Sequence, residues 1–383
     1  MDNIQAAYQA GIRALQQGDA QSARPQLALV YRSDPTNQDV ALAYAMALRD
    51  TLAREECAKV IDQLLEANPR HFMGLMVKAD NLVAMGKRGV AGPYYQAAAS
   101  LVPNPEQHPP HIQKHVERAR QNAAQLVTEY EAYAERFLKD EGFAQEPGEP
   151  LNDYQHAVDI LFGKRQIYMQ QPIQFYFPGL PQKQFYNRED FPWAADIEAH
   201  TSSIAKEAQA LVGDKAAYPP YLGSDYQGPR TGQNALDGSA DWGACYLIKD
   251  GKEVDENASR CPQAMAALRQ LSEHVANQDY RIALFSLLRP DTHIEPHHGF
   301  TNARLICHLP LVVPPNCALR VGNDTREWDV GKLTIFDDSM EHEAYNKSDQ
   351  IRIVLLFDIW RPELSERDRT FVNSMNNAIK KFK

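Results

Sequence analysis

At 383 residues the chain is too long for one typical hydrophobic core and predicts two domains, one of about 100 residues and one of about 200. A formal charge of -10 argues against a nucleic-acid surface, which concentrates Lys and Arg, and the terminal Lys380-Lys381-Phe382-Lys383 reads as a solvated tail. No run of about 18 apolar residues is present, Met1–Gln5 lacks the basic start of a signal peptide, and five scattered cysteines without CxxC spacing fit a reducing compartment, so a soluble, cytoplasmic protein is expected.

The first hundred residues repeat with a period of 34: Pro35, Pro69 and Pro103 fall in register, as do Gly11, Ala45 and Ala79, and Ala23, Cys57 and Ala91. Small residues at the last two sets let paired helices cross closely, and each proline stops the second helix before the next unit. Gly18-Asp19 and Gly86-Lys87 mark the turns inside units. This pattern resembles the tetratricopeptide repeat (TPR) over roughly residues 4–105. The resemblance implies a short helical solenoid, which either binds a protein or peptide partner or serves as a packing scaffold. Ile112, Val116, Ala119, Ala123, Leu126 and Tyr130, at helical spacing within His111–Lys139, predict a helix that caps the array. Residues 1–140 are thus the repeat domain and 141–170 a linker, with Glu141–Pro150 of linker composition and one further helix over Asp153–Phe162.

Residues 171–383 form the second domain, so the chain is an α + β multidomain protein. An amphipathic helix is predicted over Ile197–Val212, and 213–241, rich in Gly, Pro, Tyr and Asp, reads as a long surface loop beside a substrate mouth. Strands are predicted at Trp242–Lys249, Tyr280–Leu288, Arg304–Val313, Ala318–Val321, Lys332–Phe336 and Ile351–Trp360, with a helix at Ala264–His274. Many short strands with turn punctuation suggest a sandwich or jelly roll closed around a pocket. Cys245 and Cys261 could pair if the fold brought them together.

The chemistry concentrates in His293-Ile294-Glu295-Pro296-His297-His298-Gly299 and in Phe336-Asp337-Asp338-Ser339-Met340-Glu341-His342-Glu343. A metal site for oxygen chemistry needs neutral imidazoles on rigid neighbouring strands, with open positions for substrate and dioxygen. The 45 residues between His297 and His342 permit antiparallel strands to bring them together. By spacing alone the two histidines serve equally well as half-buried polar residues.

The run Ser286–Trp360 resembles the aspartyl/asparaginyl β-hydroxylase family of iron(II)- and 2-oxoglutarate-dependent oxygenases. The likeness is carried by His293–Leu305, His308-Leu309, Phe336–Ser339 with Glu341–Glu343, and Asp358-Ile359-Trp360 before Pro362-Glu363-Leu364. It implies a double-stranded β-helix (jelly-roll) oxygenase domain, with His297 and His342 as the iron ligands. Gly299 stands where most 2-oxoglutarate oxygenases place a carboxylate, and the family fills that vacancy with water; Glu295, Glu343 and Asp338 are the alternatives. Arg352 matches the arginine for the distal carboxylate of 2-oxoglutarate, a role that suits a bidentate guanidinium. Ser286 and His308 match cosubstrate contacts, and Trp242 matches a tryptophan near the active site, although core packing is the commoner role for an aromatic at the start of a strand. Ile306 departs from the eukaryotic pattern, which has arginine there. The implied reaction consumes dioxygen, decarboxylates 2-oxoglutarate to succinate and hydroxylates Cβ of Asp or Asn in a peptide or protein. A small-molecule hydroxylase acting on a free amino acid or other metabolite, and a catalytically silent repeat protein, remain as alternatives. Arg281, Arg289, Arg304 and Arg320 are the available cations for an acidic substrate.

Overall fold

The computed structural model describes residues 2–143, 153–214, 216–221, 236, 238–271 and 281–382. It separates into two compact units, Met1–Lys164 and Arg165–Lys383. Glu146–Pro150, central to the linker reading, lies outside the described residues.

The first unit is three helix pairs and a cap. The pairs are α1 (Asp2–Gln16) with α2 (Ala20–Ser33), α3 (Gln38–Asp50) with α4 (Arg54–Ala67), and α5 (Phe72–Ala84) with α6 (Arg88–Ser100). The repeated prolines 35, 69 and 103 each fall just past the second helix of a pair. The repeated small residues are where helices touch: Ala23, Ala45, Cys57, Ala79 and Ala91 are all fully buried. A Cβ on Gly11 would meet Leu27 Cγ at 2.7 Å, so this crossing admits only glycine without a shift. Asp19, Asn37 and His71 cap α2, α3 and α5, each accepting a backbone N–H of the first turn. α7 (Pro110–Asp140) closes the array by burying Val116, Ala119, Ala123 and Leu126. Tyr130, predicted to share that face, is 51% exposed and packs edge-on against Phe162. α8 (Asp153–Leu161) is the further helix expected before the second domain.

The second unit begins inside the predicted linker. Its strands are β1 (Phe185–Tyr186), β2 (Trp242–Lys249), β3 (Lys252–Glu253), β4 (Ala283–Leu288), β5 (Thr292–His297), β6 (Arg304–Val312), β7 (Cys317–Val321), β8 (Asp324–Glu327), β9 (Thr334–Phe336), β10 (His342–Asn346) and β11 (Arg352–Trp360). They form two antiparallel sheets, β1-β9-β6-β11-β4-β2-β3 and β5-β10-β7-β8. Alternation gives the large sheet two apolar faces. Cys245, Leu247, Phe285, Leu287, Leu309, Leu355 and Phe357 face a core shared with helices α9 (Ala194–Glu198), α10 (Thr201–Ala210), α11 (Asp255–Ala258) and α12 (Pro262–Gln270). Trp242, Leu288, Ile306 and Phe336 face inward onto Ile294, Leu319, Val321 and Ala344 of the small sheet. The candidate site lies between the sheets. α13 (Glu366–Phe382) ends the chain and buries Val372.

Several expectations are corrected. The helix over Ile197–Val212 is two, because the chain turns at Ala199-His200 between α9 and α10. The described part of 213–241 is not all surface: Tyr218 is buried with its hydroxyl donating to the Ala208 carbonyl, and Tyr221 stacks on Trp242 at 4.1 Å. Residues 222–235 of that loop lie outside the described residues. Cys245 and Cys261 enter the same core as free thiols; burial raises the first to about 12 and the second to about 11.

Candidate active site

The two histidines meet through a bulge. His342 is paired with His297 and Ala344 with Ile294, so two steps on β10 oppose three on β5. Pro296 has no N–H for the ladder, and the extra residue is accommodated there. The consequence is a change of phase. Regular alternation from buried Ile294 would turn Pro296 inward and His297 outward, whereas the bulge puts His297 on the inner side, opposite His342. The ring centroids are 4.1 Å apart.

Both rings are fixed in one tautomer. Nδ1 of His297 lies 2.8 Å from the Glu295 carbonyl, and Nδ1 of His342 lies 3.0 Å from that of Met340. A carbonyl only accepts, so each Nδ1 carries the proton and each Nε2 of the neutral ring keeps its lone pair. Burial lowers both pKa values, and for His342 the neighbouring His297 lowers it further, so both rings are neutral near pH 7. Two neutral, oriented Nε2 donors are what a divalent metal needs from imidazole. Among the described residues no group of three His, Cys, Asp or Glu is arranged to hold a metal.

Gly299 explains part of that. A Cβ at position 299 would lie 2.0 Å from Oδ2 of Asp338. The space available to a side chain after His297 is therefore filled by a carboxyl from the other loop, and Gly299 N–H donates to the Asp338 carbonyl at 2.6 Å. Burial pushes the Asp338 carboxyl up to about 7, against the opposing pull of Arg304. Its Oδ1 is buried without a hydrogen-bond partner. Asp337 instead orders the loop before His342 by accepting from the Ser339 N–H and hydroxyl. The imidazoles bond through Nδ1 to the backbone carbonyls already described and not to this acidic pair.

Beyond the histidines lies a buried cation. Arg352, on the inner face of β11, is 1% exposed and makes no ion pair among the described residues. Its Nη1 donates to the Ser286 carbonyl at 3.2 Å and reaches Ser286 Oγ at 3.4 Å, while Nε has no partner. The guanidinium lies over the Trp328 ring, 4.9 Å from its centroid. Burial pulls its pKa down to about 10, so it is still charged at neutral pH. Nδ1 of His308 and Nε1 of Trp328 are likewise buried and unpartnered, and burial with the Arg352 charge lowers His308 to about 3. Trp242 Nε1 donates to Ser286 Oγ at 3.3 Å, and its ring lies 6.3 Å from that of His297. One cation with three neutral polar groups and no internal anion fits a small carboxylate.

The other residues singled out in the sequence have other partners. His293 and Glu343 face out from the small sheet and bond to each other at 2.7 Å; Arg320 joins Glu343 and Glu341 on the same surface. Arg304 is paired with buried Asp358 at 3.0 Å, whereas Arg281 and Arg289 donate to backbone carbonyls. Ile306 lies in the inner core opposite Phe336.

A family model described as aspartyl/asparaginyl β-hydroxylase matches residues 198–362, most of the second unit. The second unit is similar to that family over this stretch. An aspartyl/asparaginyl β-hydroxylase of Mus musculus is 38% identical over 34% of this chain and 17% of its own length. An ornithine lipid ester-linked acyl 2-hydroxylase of Rhizobium tropici is 34% identical over 51% of this chain and 66% of its own. The chain thus spans less than two thirds of either relative. For the first unit, the TPR2B domain of yeast Sti1, solved as a pHsp70 complex, covers 33% of this chain and 98% of its own at 15% identity, with a TM-score of 0.29. The helix pairs themselves carry the repeat assignment.

Within the second unit, three features escape a reading by motif. Trp328 stands in a polar stretch, Arg326-Glu327-Trp328-Asp329, and its relation to Arg352 exists only after folding. Asp338 is visible as a carboxylate near His342, but its intrusion beside Gly299 is not. Gln170 and Arg361, which bond to Asp337, come from far along the chain.

Proposed function

We propose that the hydroxylase unit is an iron(II)- and 2-oxoglutarate-dependent dioxygenase. The observation that carries this reading is Arg352: a fully buried guanidinium without a counter-charge among the described residues, facing the same space between the sheets as two neutral, oriented histidines. A buried unpaired cation costs several kcal/mol unless something compensates it, and the distal carboxylate of 2-oxoglutarate would do so. The strand order supports a double-stranded β-helix, since β4, β6, β9 and β11 lie in one sheet and β5, β7, β8 and β10 in the other.

In this reading His297 and His342 would hold the metal through Nε2, with water rather than a side chain at 299 completing its ligands. When bound, iron(II) with 2-oxoglutarate supplies the dioxygen activation needed to hydroxylate an unactivated carbon. The protein's part is placement. Arg352, with Ser286, His308 and Trp328, takes the distal carboxylate; the stacked Trp242 and Tyr221 wall off one side of His297. The substrate we infer is an Asp or Asn side chain in a peptide or protein, hydroxylated at Cβ, with the TPR-like unit recruiting it. The Rhizobium relative's name makes an acyl chain the competitor to include in any assay.

Reconstituted protein with iron(II) and 2-oxoglutarate is expected to form succinate and to add one oxygen to a member of an Asp/Asn peptide library, by mass spectrometry. His342→Ala should abolish both. Absence of iron and 2-oxoglutarate binding in the wild type sinks the reading. Removal of residues 1–164 should leave substrate-independent succinate formation in place and depress peptide turnover; undiminished peptide turnover removes the recruiting role.

A further inference from the structure

The segment Gln170–Phe177 precedes the 198–362 stretch that the family model covers, yet it touches both loops that carry the histidines. Gln171 N–H donates to the Ser339 carbonyl at 2.7 Å, in the loop before His342. Ile173 N–H then donates to the Gly299 carbonyl at 3.0 Å, and Phe175 N–H to that of Phe300 at 3.0 Å, in the loop after His297. An extended strap crosses the two loops in succession.

One side chain joins them a second time. Gln170, 6% exposed, donates from Nε2 to Asp337 Oδ2 at 2.6 Å and accepts from Asn302 Nδ2 at 2.8 Å. Asp337 is also gripped by Arg361 at 2.7 Å, both side chains wholly buried, and Arg361 Nη1 reaches the Asn302 carbonyl at 3.3 Å. A carboxamide is suited to this joint because it donates at one end and accepts at the other. Both its groups are satisfied, so the network holds one arrangement rather than several.

The need for such a joint follows from the sheet. His297 ends β5 and His342 begins β10, so their pairing is the last rung of the ladder. Past that rung the chains leave the ladder; one backbone bond, from Gly299 N–H to the Asp338 carbonyl, still joins the two loops, and no further strand pairing fixes the separation of the rings.

We propose that Gln170–Phe177 is a positioning strap for the metal pair, with Gln170 its positioning residue. It acts through the two loops and touches neither metal nor substrate. The inference rests on the two-histidine metal site proposed above.

The test is Co(II) titration of the metal-free full chain, followed by its visible absorption, at a temperature well below unfolding. Gln170→Met keeps the volume and removes both polar ends; it should raise the Co(II) dissociation constant about tenfold and alter the visible bands. Leu268→Val, a core change in α12 on the opposite face of the large sheet, reports lost stability alone and should leave affinity and bands unchanged. Should Gln170→Met fold poorly, Ile173→Pro deletes the N–H donated to Gly299, at a residue 63% exposed, and is expected to weaken Co(II) in the same way. Wild-type affinity and bands in the folded variants overturn the strap, as does an equal change in Leu268→Val. A wild type that binds no Co(II), or whose binding survives His342→Ala, instead removes the metal site, and the strap with it.

Discussion

Arg352→Met should separate ligand binding from stability in opposite directions. As a charge the arginine is a net cost to the empty fold: burial pulls its pKa down to about 10, a penalty of about 3 kcal/mol at ~1.4 kcal/mol per pH unit. Against this stand two weak contacts to Ser286, at 3.2 and 3.4 Å, together worth about 1 kcal/mol. Methionine retains most of the volume and the contact with Trp328, and Ser286 Oγ keeps its bond from Trp242. The ligand-free variant is therefore expected to gain about 2 kcal/mol, within the range seen when buried ions are replaced by apolar residues. For a unit of this size that is a rise of roughly 4–8 °C in unfolding temperature. Binding should move the other way. Losing one partner of a buried charge pair costs about 2–5 kcal/mol, so 2-oxoglutarate affinity should fall at least ~30-fold by calorimetry. A variant that still binds 2-oxoglutarate like the wild type, or that unfolds at a lower temperature without ligand, refutes an uncompensated cation awaiting a carboxylate.

Two further perturbations probe the loops. Asp338 has a folded-state pKa of about 7, above its unfolded value, so the folded state binds the proton more tightly and stability falls as pH rises from about 4 to about 7. Asp338→Asn should flatten that fall in the metal-free protein by at most about 4 kcal/mol; Asp337 and Asp358, also raised by burial, keep a residual slope. Denaturant unfolding at pH 5 and pH 8 measures it, and an unchanged slope contradicts the assignment. Gly299→Ala places a methyl 2.0 Å from Asp338 Oδ2 and should cost about 1–3 kcal/mol by overpacking. In an Asp338→Gly background most of that cost should vanish, a coupling that a double-mutant cycle reads directly; strictly additive effects would show that the two loops do not share this space.

What the sequence discloses here depends on the range over which each signal acts. The repeat unit is legible because its determinants are local: prolines past every second helix and small residues at crossings recur at one spacing, and a one-residue misreading of a boundary leaves the helix face intact. Strands that are nearly continuous apolar runs, such as β4, β6 and β11, are equally plain. β5 and β10 are not, because Thr-His-Ile-Glu-Pro-His and His-Glu-Ala-Tyr-Asn spend their positions on function and leave little apolar pattern.

The site shows where reading by alternation fails even when the residues are identified. Counting in twos from Ile294 predicts that position 296 faces inward and His297 outward, away from His342. The bulge reverses this, and its only mark in the sequence is Pro296, which removes an N–H that a regular antiparallel rung would use. The same shift governs Gly299. With His297 brought inward, the following loop closes on Asp338, whose carboxyl takes the place of a side chain at 299. In the proposed metal site an acid introduced at 299 is therefore not expected to act as a third ligand in this backbone, because its Cβ would meet the Asp338 carboxyl of the neighbouring loop. The two-histidine arrangement is a property of how two loops pack, held from outside by Gln170 and Arg361, and no motif confined to either loop contains it.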